Sequence, residues 1–143
     1  MNKTIIWVIV IVVIIVGWYF LRGDGESTTP IDTAVTVTLA EQNTSGMSGK
    51  ATLTDSNEGL MVALSLTGAP EDVEQPAHIH INSCADIGGV EYPLNSPVNG
   101  ESATVLTGVT LDMLRGQLPL SLNVHKSAEE VGIYVACGDI LIP

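Results

Sequence analysis

The stretch Ala77-His-Ile-His-Ile81 decides how this chain is read. It alternates with a period of two, the signature of a β-strand, in which side chains at i and i+2 project from the same face. His78 and His80 therefore stand on one face, a few ångströms apart. Two imidazoles so placed can chelate a metal ion that a third ligand completes. The chain has three histidines, and the third, His125, ends a second strand-like run, Leu118-Pro-Leu-Ser-Leu-Asn-Val-His125. His78, His80 and His125 are thus the candidate metal ligands. Neutral imidazole suits copper and zinc, and affinity is expected to fall as pH drops below about 6.5. Each histidine taken alone also reads as a surface or hydrogen-bonded residue, because H-x-H is a common pattern.

Outward from this segment the chain keeps the same character. Short apolar or alternating runs occur at Ala34–Leu39, Lys50–Thr54, Leu60–Leu66, Ser102–Leu106, Gly132–Ala136 and Asp139–Ile142, with Gly, Pro, Asn or Asp between most of them. With the two histidine-bearing segments they make eight expected strands. The fold class is all-β, an antiparallel sandwich or flattened barrel. Only Thr110–Arg115 reads as helix, and for one or two turns at most.

The N-terminus is different. From Ile5 to Leu21 there is no charge. As a helix this run spans about 25 Å, close to the hydrocarbon thickness of a bilayer. Trp7 lies near one end and Trp18-Tyr19 near the other, where interfacial aromatics belong. Lys3 favours a cytoplasmic N-terminus, and Arg22 on the far side weakens that bias without reversing it. A cleaved signal peptide is the alternative, but Trp18-Tyr-Phe-Leu-Arg22 makes a poor cleavage site. The expected organisation is residues 1–22 as a single-pass transmembrane anchor, 23–33 as a flexible polar tether and 34–143 as a β-domain on the extracytoplasmic face.

All sixteen acidic residues lie after Arg22, opposed there by Lys50, Arg115 and Lys126 alone, a net of −13. Such a surface repels nucleic acid and anionic headgroups and attracts cations. Solubility alone would also explain it. No nucleophile elbow, phosphate loop or basic patch is present. Cys84 and Cys137 are the two cysteines. A pair in an exported domain usually forms a disulfide. Free thiols or thiolate ligands are the alternatives, and they need a reducing compartment or further ligands within reach.

Taken in order, Pro76-Ala-His-Ile-His80, Cys84, Leu122-Asn-Val-His125 and Ala136-Cys-Gly-Asp-Ile140 resemble segments of the copper/zinc superoxide dismutase family. The resemblance covers about Val35 to Ile140. It implies an eight-stranded Greek-key β-barrel, His78, His80 and His125 as three copper ligands, and a Cys84–Cys137 disulfide. It also implies barrels that often dimerise. The departures matter for function. There is no fourth histidine to bridge copper and zinc, and the segment from Ala85 to Gly100 holds only Asp86 and Glu91 as acids. No zinc site of the family type is expected. The family's arginine three residues before the second cysteine is replaced by Tyr134. The chordin-type domain is similar too, sharing the H-I-H and N-V-H elements but normally lacking the A-C-G end.

These features support three readings. The first is a membrane-anchored, superoxide dismutase-like domain that binds copper through three histidines. The second is an active copper-only dismutase. The third is a metal-free structural or protein-interaction module of the cell envelope, since fold does not fix function.

Overall fold

The computed structural model describes residues 34–143. The expected anchor (1–22) and tether (23–33) lie outside the described residues. No helix among the described residues is long and apolar enough to cross a membrane.

Eight antiparallel strands form one sheet curled into a nearly closed barrel: β1 (Val35–Glu41), β2 (Ser48–Ser56), β3 (Gly59–Thr67), β4 (Ala77–Ile81), β5 (Val90–Leu94), β6 (Glu101–Thr107), β7 (Leu120–His125) and β8 (Tyr134–Ile140). The strand order is β5-β4-β7-β8-β1-β2-β3-β6. The open side lies between β5 and β6, and the Asn95 side chain bridges it by donating to the Ala103 carbonyl at 2.7 Å. One short helix, α1 (Leu111–Gln117), precedes β7. The Thr110 side chain caps it by accepting from the Met113 amide at 3.2 Å, which satisfies one of the unpaired donors of the first turn. Leu111 and Leu114 turn its apolar side inward.

Alternation builds the core. Val35, Val37 and Leu39 of β1 are buried while the residues between them are exposed. Leu53, Leu60, Val62, Leu64 and Ile79 continue the same interior face. The exception is β7, whose six residues are all buried. Its Leu120, Leu122 and Val124 join the core, leaving Ser121, Asn123 and His125 to be covered from the other side.

The strand count agrees with the sequence reading, but its composition does not. The runs Gly132–Ala136 and Asp139–Ile142, read as two strands, belong to a single β8 that passes straight through Cys137 and Gly138. Glycine there marks a close approach of two backbones rather than a turn. A Cβ on Gly138 would stand 2.2 Å from the Thr38 carbonyl oxygen of β1. The eighth strand is instead β5, whose Val90-Glu-Tyr-Pro-Leu94 carries a proline and no clean alternation. Both suit an edge strand, and β5 stands at the end of the strand order. β7 begins at Leu120 rather than Leu118, because Leu118 closes α1.

Candidate metal centre

His78 and His80 lie on β4, and β7 runs antiparallel beside it, with His78 opposite Asn123 and His80 opposite Ser121. His125 follows Asn123 by two residues, so it shares the face of β7 that carries Ser121 and Asn123. A register shift between Val124 and His125 in the pairing with β8 re-aims the end of that strand, a common effect of bulges near functional sites. All three histidines of the chain therefore meet on the outer wall of the barrel. One ring nitrogen from each lies within 4.8 Å of the other two. The ring centroids are 5.0 Å apart for His78 and His125, 5.5 Å for His78 and His80, and 6.0 Å for His80 and His125.

Hydrogen bonds select which nitrogens face inward. His80 Nδ1 bonds the Gly88 carbonyl at 3.0 Å. His125 Nδ1 bonds the Val131 carbonyl. A ring nitrogen bound to a carbonyl must carry the proton, so each Nε2 is left with a lone pair that can accept or ligate. His125 Nε2 accepts from His78 Nδ1 at 3.1 Å, and a bound metal ion would displace that proton to His78 Nε2. His80 Nε2 is buried and has no partner. The converging set is thus His78 Nδ1, His80 Nε2 and His125 Nε2. Backbone carbonyls that fix tautomer and ring orientation are what metal-ligating imidazoles ordinarily require.

The surroundings favour neutral rings. Burial holds the pKa of His78 below its usual value of 6.5, and nearby His125 and His80 lower it further. Burial also lowers that of His125, against the opposing pull of the Val131 carbonyl and with help from His80. His78 and His125 therefore stay neutral to a more acid pH than free imidazole would. His80 and His125 are each 5 % exposed, whereas His78 is only partly buried. The mouth of the site opens on the His78 side.

The loop after β4 forms the lid. Cys84 is bonded to Cys137 of β8, which pairs with Asn123 of β7. The loop is thereby pinned over the outer face of that strand. The Cys84 amide donates to Asp139 Oδ1 at 2.7 Å. Asp139 is exposed, and it anchors this loop. The turn of this loop falls at Cys84-Ala85, and Gly88-Gly89 lies beyond it beside the end of β4, with the Gly88 amide donating to the Ile81 carbonyl at 2.8 Å. Its carbonyl orients His80, a role that no residue type announces in sequence.

Tyr134, which stands where the family resemblance would place an arginine, packs edge-on against His125 at a centroid distance of 5.1 Å. It also lines a cavity of about 510 Å³ together with Gln75, Met47 and Lys126. Asn123 and Ser121 escaped the sequence reading as site residues. Both are fully buried on the histidine face. Neither Asn123 amide atom, nor the Ser121 hydroxyl, has a hydrogen-bond partner.

No protein-family model matches the chain, and no curated protein matches it significantly.

Proposed function

We propose that this protein is a membrane-anchored, extracytoplasmic domain of the superoxide dismutase-like kind that binds copper through His78, His80 and His125. One observation carries the reading. A buried His80 nitrogen has no partner, and His80 offers a ring nitrogen within 4.8 Å of one from each of the other two histidines; an unpaired buried acceptor is costly unless a ligand satisfies it. Three neutral imidazoles suit copper in either oxidation state, with zinc as the competing ion. Bound copper would supply one-electron redox chemistry, while the residues described above fix the rings and exclude water from two of them.

The family and the location rest on other features. The strand order fits a Greek-key barrel once β5 and β6 are taken as neighbours, because β7 then returns beside β4 after β4, β5 and β6 have run in sequence. The disulfide belongs to an oxidising compartment. The uncharged Ile5–Leu21 run supplies an anchor. These support a cell-surface role in capturing or buffering copper.

Dismutation is the second reading, favoured by the open His78 side of the site. Against it stand Tyr134 in place of a cationic docking group and an acidic surface that repels an anionic substrate. One experiment separates the readings. The full chain in detergent, with its disulfide intact, is given one equivalent of copper, and retained metal and superoxide consumption are measured together. Stoichiometric copper without dismutation supports binding alone. Copper with fast dismutation makes the protein an enzyme. No retained copper overturns the proposal in favour of a metal-free envelope module.

A further inference from the structure

The buried amide of Asn123 belongs to the face of β7 that carries His125. Asn123 is directly opposite His78 in the pairing of β4 with β7, a separation of about 5 Å between β-carbons. It precedes His125 by two residues on the same face of β7. On its other side stands Cys137, opposite it on β8 and bonded to Cys84. The side chain is thus walled in by His78, His125 and the disulfide. Its exposure is 0 %, and both Oδ1 and Nδ2 lack partners. A buried amide normally has a partner. Nothing in the barrel's packing uses this one, whereas Leu122 and Val124 beside it serve the core.

We infer that Asn123 Oδ1 is a fourth, weaker donor to the metal, making the site one of three nitrogens and one oxygen. This rests on the three-histidine reading and gives that site a preference. An amide oxygen is a hard donor, better matched to a divalent ion than to soft Cu(I). Asn123 therefore biases the site toward Cu(II), or toward zinc as another divalent ion, and lowers the tendency of bound copper to be reduced. With the ion absent, the same amide is an unpaired polar group that the fold must tolerate.

The test uses the full chain in detergent and copper alone, comparing wild type with Asn123→Leu and Asn123→Asp. Asn123→Leu, of similar size and without polar atoms, is expected to weaken Cu(II) binding by about tenfold or more. Cu(I) binding should change by less than about threefold, and the Cu(II) paramagnetic resonance spectrum should shift. Its metal-free form should melt no lower than wild type, because an unpaired amide has been removed. Asn123→Asp keeps an oxygen in place and adds charge, so Cu(II) binding should tighten. A role in packing alone would lower both copper affinities equally, and that result overturns the inference. So does an Asn123→Leu protein whose Cu(II) affinity and spectrum match wild type. If Asn123→Leu does not fold, unchanged Cu(II) binding by Asn123→Asp overturns it instead. Failure of wild type to bind either ion overturns the three-histidine reading, and this inference with it. Binding by wild type with unaltered variants overturns this inference alone.

Discussion

His80 gives its Nδ1 to the carbonyl of Gly88, 3.0 Å away and eight residues further along the chain. That one bond ties a ligand candidate to the loop above it. The loop is held in turn by the Cys84–Cys137 disulfide and by the Asp139 carboxylate. The orientation of the ring is thus set by covalent chemistry at a distance.

His80→Ala should weaken copper binding at least about 100-fold, more than is lost when only an outer partner of a ligand is removed. The barrel should persist. The melting temperature of the metal-free form should fall somewhat, because the change leaves a gap where a 5 % exposed ring stood and frees the Gly88 carbonyl. Metal competition titration and circular dichroism on the same samples check both halves. A variant that binds copper as well as wild type would sink the three-histidine site.

Replacing both cysteines by serine should cost about 4 kcal/mol of stability on the chain-entropy model, given the 53-residue separation of the bridge. It should also weaken copper binding, because the Gly88 carbonyl would no longer be held over His80. Urea unfolding measures the first effect, and copper competition under native conditions the second. If affinity is unchanged, the loop orients His80 without help from the disulfide.

Acid should destabilise the metal-free domain through its histidines. The folded pKa values of His78 and His125 lie below 6.5, mainly through burial. The unfolded chain therefore binds more protons below that pH, and stability falls as the pH drops from 6.5 through the folded values. Their contribution is flat above about pH 7, where the rings are neutral in both states. The neighbouring groups in this titration are His80 and Tyr134. Unfolding midpoints measured from pH 8 to pH 5 should decline in wild type, and less in a His78→Gln, His125→Gln double variant. Parallel curves would refute the assignment.

Gly138→Ala should destabilise the barrel by about 1–3 kcal/mol, the usual range for overpacking. The added Cβ would meet the Thr38 carbonyl oxygen at 2.2 Å and Val37 Cγ1 at 2.8 Å. This strikes the seam where β1 leaves β2 to pair with β8. A denaturant midpoint equal to wild type would show that the seam can open without cost.

The β class was legible because alternation survives in β1, β2 and β3, where one face is buried and the other is exposed or only partly covered. It was less legible in β8, since Gly138 looks like a break until β1 is seen pressed against it. In β5, Glu91 and Pro93 hide an edge strand that needs neither burial nor a full ladder of donors. Of the site, the three imidazoles could be read from their residue type and spacing. Asn123 could not, because one buried amide in an apolar strand looks no different in sequence from a solvent-facing one. The Gly88 carbonyl carries no signal at all, as every residue has one.

His78 and His125 meet although they stand 47 positions apart in the chain, and they do so only once β4 and β7 have paired. An unfolded chain offers a metal ion only the neighbouring pair His78 and His80. Loading by all three rings therefore follows that long-range pairing rather than preceding it. A tightly held ion would certify that β4 and β7 have met, and a scavenging role would fall only to copies in which they have.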